Sequence, residues 1–357
     1  MAIFSFPNVR LAGVSACVPQ KTVKNIDYSW ISIKERKSLI KNIGVVEKHH
    51  ASKGTATSDL CYVAAEKLIN ELNWDRNKID VLLFISQSRD YILPATSCVM
   101  QERLKLPKTC AAFDIVMGCS AYNYGLSVIH SLLTVGVLKR ALLLVGDISS
   151  IGSYRDKTTY PLFGDAGTAT ALEYKEDFPK AFFNLQTDGN GHQAIIIHES
   201  GFRKRPSEKS FDFIRYGKGI IRHGGHVALD GMEVFNFALR EVAPNVRKLL
   251  KFYEISFDDI DYAVFHQANL LINETIRKML KLDPQKMPYS IDRYGNTSSS
   301  SIPLTLVTEL RNELITRNMK ILMTGFGVGL SWGSNIIETD KIVCPEIIEY
   351  ESALKLI

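Results

Sequence analysis

Apolar residues recur every three or four positions over residues 58–72, at Leu60, Val63, Ala64, Leu68 and Leu72. That spacing predicts one buried face of a helix. A polar link, residues 73–78, leads into the almost unbroken apolar run 79–85, which predicts a strand covered on both faces. The same plan returns far downstream: a periodic helix over 234–252, an acidic link at 254–259, and a strand over 260–265. Both strands open on Ile-Asp followed by apolar residues (Ile79-Asp80 and Ile260-Asp261). The parallel continues, because Phe113-Asp114 through Gly118-Cys119-Ser120 is echoed by Ile291-Asp292 through Gly295-Asn296-Thr297. Each copy then passes through an apolar helix to a strand, 140–145 in one and 320–324 in the other.

Strands alternating with helices predict parallel sheets with helices on both faces, and so long a period predicts duplicated half-domains rather than a solenoid. The chain divides into residues 1–175, which carry Cys119, a connecting segment 176–230, and residues 231–357, which carry His266 and Asn296. If the halves pack about a pseudo-twofold axis, the helices after Ser120 and Thr297 meet at their N-termini. Cys119 and Asn296 would then reach one pocket from opposite sides.

Composition narrows the function. The chain has 357 residues, of which 46% are apolar and 23% charged, as in an ordinary soluble globular protein. The net charge of +5 is scattered, and the clusters 34–37 and 203–205 read as solvated surface or as steering for an acidic partner. No nucleic-acid motif is present. The six cysteines, at 17, 61, 98, 110, 119 and 344, form no Cys-x-x-Cys and no metal-like pairing, so no metal is expected. The first residues lack the charged flank and apolar core of a signal peptide, and no run of about 18 apolar residues could span a bilayer. A reducing cytoplasm is the expected location.

Cys119 follows a β-branched run and a glycine and precedes small residues, so it is placed at the N-terminus of a helix. There the unpaired N–H groups and the macrodipole favour thiolate over thiol. His266 follows the 260–265 strand, at the carboxyl end where α/β sites gather. Each signal alone has an ordinary reading: a packed thiol, a core histidine, Asn296 as a helix cap, the glycines of 325–333 as a turn. Phe163-Gly164-Asp165-Ala166-Gly167 reads as structural, with Asp165 bracing loops.

Taken in order, Asp114-Ile115 to Gly118-Cys119-Ser120-Ala121, the 163–167 motif, His266-Gln267-Ala268-Asn269, Tyr294-Gly295-Asn296-Thr297-Ser298 and the 325–333 glycine loop resemble the β-ketoacyl-[acyl-carrier-protein] synthase III family of the thiolase superfamily. The resemblance runs from Val9 to about Glu338. It implies an α/β, thiolase-like fold, in which two duplicated βαβαβαββ halves form a five-layered α-β-α-β-α core. It implies an acyltransferase with no resident cofactor that uses acyl-CoA and a malonyl thioester of acyl carrier protein (malonyl-ACP). Cys119 would carry the acyl group, and the backbone N–H groups of Cys119 and Val328 would hold the oxyanion. His266 and Asn296 would stabilise the enolate left by decarboxylation, for which an uncharged amide suits better than a carboxylate.

By the same resemblance, Leu93, Lys157, Met232, Phe235, Gln267, Phe326 and Gly327 would bind substrate. Leu93 would reach across a homodimer interface into the partner's acyl pocket. Arg277, Lys278 and Lys281 would meet the carrier protein, although Leu271 stands where the family has its docking Arg. The family's adenine-clasping Trp-x-x-x-Arg-Thr-Gly has no clean equivalent, since Trp30 lies too far upstream, and Lys157 replaces a second adenine-contacting Arg. Residues 189–231 are longer than in housekeeping members by roughly fifteen residues, which implies a reshaped pocket lining or dimer edge. Their four histidines (192, 198, 223 and 226) are irregularly spaced and lack acidic or Cys companions, which argues against a metal.

The reading is a homodimeric condensing enzyme of a specialised lipid or surface-glycan pathway. The alternatives are a non-decarboxylating acyltransferase to an amine, hydroxyl or sugar, with His266 as general base, and a non-catalytic scaffold of the same fold. A thiolase proper is disfavoured because the 325–333 loop lacks a second cysteine.

Overall fold

The computed structural model describes residues 2–150 and 152–351; Met1, Ile151 and residues 352–357, which end the 231–357 segment, lie outside it. The first half is built on a six-stranded sheet in the order Ile348–Tyr350, Val9–Pro19, Ala166–Tyr174, Arg140–Asp147, Val81–Ile85, Ala111–Ile115. Val81–Ile85 lies between two parallel neighbours. Its apolar run is explained by the packing: Val81, Leu83 and Ile85 face the middle of the molecule, while Leu82 and Phe84 face an outer helix layer. That outer layer includes Thr57–Glu71, whose Leu60, Ala64 and Leu68 are fully buried.

The second sheet has five strands, ordered Ala2–Phe6, Ala181–Thr187, Ser331–Thr339, Met319–Gly327, Tyr262–Phe265. Met319, Ile321 and Met323 point inward, and Leu322 and Phe326 outward onto the helices Gly231–Phe252 and Leu270–Leu280. Between the sheets lie the helices Ala121–Leu133 and Ser301–Glu309, and their Leu126, Ile129, Ile302 and Leu306 share one core with both. Helix, sheet, helix, sheet and helix therefore make five layers.

Two details depart from the duplicated plan. The echo of strand Ala111–Ile115 is not a strand: Ile291–Tyr294 is a single helical turn. Pro284 and Pro288 withhold ladder donors nearby, and Ser290 gives its N–H to the Gln267 side chain at 3.2 Å. Sheet membership also does not follow the boundaries at 175 and 230, because Ala2–Phe6 and Ala181–Thr187 pair with each other in the second sheet. Residues 188–230 lie mostly outside both sheets. Ile195–Ile196 pairs with Ala228–Leu229, and Ile214–Gly217 with Ile220–Arg222, as two small ribbons.

Candidate active site

Cys119 sits in the turn between strand Ala111–Ile115 and helix Ala121–Leu133, 7% exposed at the base of a cleft. Its Sγ lies 4.0 Å from Ser298 Oγ, and the backbone N–H groups of Val328 and Cys119 face it. The glycine loop is held by the Ser331 hydroxyl, which donates to the Val328 carbonyl at 2.9 Å and lies 2.7 Å from Ser120 Oγ.

Glycine is required at 327, where φ is +155° and a Cβ would lie 2.7 Å from both Cβ and Sγ of Cys119. Gly327→Ala is therefore expected to cost at least about a hundredfold in acylation rate, comparable to losing an oxyanion donor. Intact-mass kinetics would check this, and a wild-type rate would contradict it.

Burial pushes the Cys119 thiol up to about 11, against the smaller opposing pull of the Val328 N–H, the Ser298 hydroxyl and its own N–H. Desolvation thus works against the thiolate that the helix N-terminus favours.

His266 follows strand Tyr262–Phe265. Its N–H donates to the Thr324 carbonyl at 2.8 Å, and its carbonyl accepts from Asn273 Nδ2 at 2.9 Å. The ring stands edge-on to Phe326, with centroids 5.5 Å apart, and Nδ1 lies 2.7 Å from Ser301 Oγ. Burial lowers its pKa to about 3, so the ring is neutral.

His50 and His130, buried elsewhere, are likewise lowered, to about 3 and about 4. A base whose folded pKa is depressed stabilises the fold fully above its unfolded value. That contribution falls as pH drops from about 6.5 toward the folded value, by roughly 1.4 kcal/mol per unit for each group. Urea midpoints should therefore decline steeply from pH 7 to 5, and His130→Leu should flatten the slope. An unchanged midpoint over that range would refute the assignment.

Asn296 is 5% exposed and fixed in orientation. Its Oδ1 accepts from the Ser298 N–H at 2.9 Å, and Nδ2 donates one hydrogen to the Ala268 carbonyl at 3.2 Å. The second amide hydrogen is left for the cleft. The Asn296 backbone pairs with the 162–164 loop, giving its N–H to Leu162 and taking one from Gly164. Asp165 accepts from the N–H groups of Ala51, Ser149 and Ser150 and from the Ser150 hydroxyl, a bracing role.

Cys119, His266, Asn296, Phe326, Gly327 and Val328 all line one cleft. The other residues expected to meet substrate, partner subunit or carrier lie outside that lining. Met232 is 69% exposed, and Phe235 packs on the outer helix layer; Gly231 and Val234, on the adjacent helical face, line the cleft instead. Gln267 is buried, donating to the Phe265 carbonyl and accepting from Ser290. Lys157 lies against Gly219. Leu93 is 79% exposed on the loop before Pro94. Arg277 is held by both oxygens of Glu274 and by the Leu282 carbonyl, while Lys278 and Lys281 are exposed.

Sequence reasoning missed Ser298, Ser301 and Asp147. The signal for the two serines was the Thr297-Ser-Ser-Ser-Ser301 run, which reads as a cap; Asp147, at the end of strand Arg140–Asp147, carries none. Asp147 Oδ1 accepts from the Ser86 hydroxyl, the Gln87 N–H and the Ser88 hydroxyl, and Oδ2 from the Ser299 N–H and hydroxyl. It joins the two halves and itself lines the cleft. Among the described residues, no group of three or more His, Cys, Asp or Glu could hold a metal ion.

The sequence profile of 3-oxoacyl-[acyl-carrier-protein (ACP)] synthase III matches residues 113–191, and that of its C-terminal part matches 250–339. The β-ketoacyl-[acyl-carrier-protein] synthase III 1 of Bacillus cereus is 30% identical over 336 residues, 94% of this chain and 100% of that one. The chain belongs to the β-ketoacyl-ACP synthase III family. Among solved structures, the 3-oxoacyl-(acyl-carrier protein) synthase of Burkholderia xenovorans is 37% identical with a TM-score of 0.92, covering 98% of this chain and 99% of its own. A second 3-oxoacyl-(acyl-carrier-protein) synthase III structure is 31% identical with a TM-score of 0.87, over 93% and 99% of the two chains. The synthase III family thus supplies the thiolase-like fold and a condensing transferase as the class of activity. Among the described residues, no helix is long and apolar enough to cross a membrane.

Proposed function

We propose that this synthase III joins an acyl group to a malonyl thioester in two half-reactions. Cys119 Sγ attacks the acyl thioester carbonyl; the donor C–S bond breaks, and the thiol proton leaves with the free thiol. Val328 and Cys119 N–H groups, already turned toward the sulfur, hold the oxyanion. A malonyl thioester then loses carbon dioxide. Its enolate oxygen takes hydrogen bonds from His266 and from the free N–H of Asn296, and its carbon attacks the acyl-Cys. The Cys119 sulfur leaves and takes up one proton, and a 3-oxoacyl thioester remains.

The observation that carries this reading is the fixed Asn296 amide and the neutral His266, two uncharged groups in the cleft that Cys119 also lines. A ring that binds a proton only near pH 3 is a poor general base, which weighs against simple transfer to an amine, hydroxyl or sugar. Acyl-CoA and malonyl-ACP are the substrates proposed, in a cytoplasmic homodimer. The open edge of strand Ala111–Ile115 and the exposed Tyr91, Ile92 and Leu93 beyond strand Val81–Ile85 suit the dimer contact. The departures in the 189–231 segment favour a specialised lipid or surface-glycan pathway over bulk fatty-acid initiation.

Intact-protein mass spectrometry with a panel of acyl-CoA and acyl-carrier donors tests the first half-reaction. An adduct absent in Cys119→Ala is expected, followed by carbon dioxide release when malonyl-ACP is added. No adduct with any donor would overturn the reading.

A further inference from the structure

Five large apolar side chains that stand more than half exposed fall in one short stretch of the inserted segment: Phe202, Phe211, Phe213, Ile214 and Tyr216. Set among them are Arg203, Arg205, Lys209, Arg215 and Lys218, all exposed, against only Glu208 and Asp212 as acids within 202–218. Among the described residues, none of these five cations lies in an ion pair, although neighbouring Lys204 and Arg222 are paired with Glu199 and Asp156. Arg205, Arg155 and Arg222 lie over the Phe202, Phe213 and Tyr216 rings, at 5.1, 4.6 and 4.4 Å, yet each ring stays more than half exposed; a mixed aromatic and basic face of this kind is the composition of a binding surface.

The face is anchored, and the segment that carries it is continuous at both ends with the cleft wall. Gly219 at the hairpin tip accepts from the Lys157 N–H at 3.0 Å and from Trp30 Nε1 at 3.1 Å, and Ile221 donates to the Arg155 carbonyl at 2.9 Å. Trp30 leads into helix Ile33–Ile43, whose Lys34, Lys37 and Lys41 are exposed and extend the basic surface. The same inserted segment sends Ile195, Ile197, Val227 and Leu229 into the cleft wall. Helix Leu270–Leu280 offers much less, because Arg277 is spent on Glu274.

We propose that the exposed face of residues 202–218, together with the lysines of helix Ile33–Ile43, docks the acidic carrier protein that presents the malonyl thioester. This rests on the reading under Proposed function. Complementary charge would steer the carrier to this face, and the exposed rings would give the contact its apolar centre. The thioester arm would then enter along the wall built by the same segment.

The test uses the full chain with charge reversals at Arg203, Arg215 and Lys218 (each to Glu), compared with the pair Lys278→Glu and Lys281→Glu. Condensation is followed with malonyl-loaded acyl carrier protein, and Cys119 acylation with a small carrier-free acyl-N-acetylcysteamine thioester. The triple variant should raise KM for the carrier substrate about tenfold or more at low salt, an effect that shrinks as salt is added. Its acylation by the small thioester should be unchanged, and the pair on the 270–280 helix should move KM less than about twofold. A milder triple change to Gln should shift KM in the same direction by a smaller factor.

The proposal is overturned if the 278/281 pair raises KM and the triple does not, or if the triple impairs both substrates equally. It is also overturned if the triple abolishes binding to phosphatidylglycerol vesicles while leaving the carrier KM unmoved, which would make the face a membrane surface. Failure of the wild-type protein to condense with any malonyl carrier, while Cys119 is still acylated by the small thioester, would instead refute the condensing reading itself.

Discussion

Asn296→Asp is expected to stop condensation by at least about a thousandfold while Cys119 is still acylated to completion. The change is nearly isosteric. A carboxylate can still accept the Ser298 N–H through one oxygen, so the turn should survive. The other oxygen would replace the donor facing the Ala268 carbonyl and the cleft, setting negative charge against both that carbonyl and the developing enolate. Removing a donor costs transition-state stabilisation, and adding a like charge in a buried site costs more. Carbon dioxide release from malonyl-ACP and the acyl adduct mass separate the two half-reactions. Undiminished carbon dioxide release, or acylation lost in parallel, would sink the assigned role.

Asp147→Ala should be among the most destabilising single changes in the chain, at about 3–5 kcal/mol. Its two oxygens accept five hydrogen bonds, three from residues 86–88 in one half and two from Ser299 in the other. Deletion leaves the buried Ser299 N–H and the part-buried Gln87 N–H without their partner in the seam. Asp147→Asn keeps one accepting oxygen and should recover part of the loss. Urea unfolding at pH 7 checks this; a shift below about 1 kcal/mol for the Ala variant would show that water satisfies the seam as well.

Much of this was legible in the chain because period and order survive in a duplicated fold. The 58–72 and 234–252 periodicities correspond to helices Thr57–Glu71 and Gly231–Phe252, and the Ile-Asp runs lead to strands Val81–Ile85 and Tyr262–Phe265. Cys119, His266 and Asn296 do share one cleft. What the pattern could not carry was non-local. Nothing local joins Ala2–Phe6 to Ala181–Thr187, since the two strands are far apart in sequence and meet only in the packed sheet. The state of the Cys119 thiol depended on how deeply the 325–333 loop covers it, which no spacing reports. Val234 lines the cleft while Met232, two positions before it, is exposed, a rotation that only the helix's packing decides.

The reacting groups are anchored to interior strands and helices, whereas part of the cleft wall comes from residues 195–197 and 227–229, in small ribbons that join neither main sheet. The proposed reacting groups and this part of the wall around them are therefore carried by separable pieces of chain. A change confined to residues 195–197 or 227–229 would reshape that wall without moving the strands and helices that hold Cys119, His266 and Asn296.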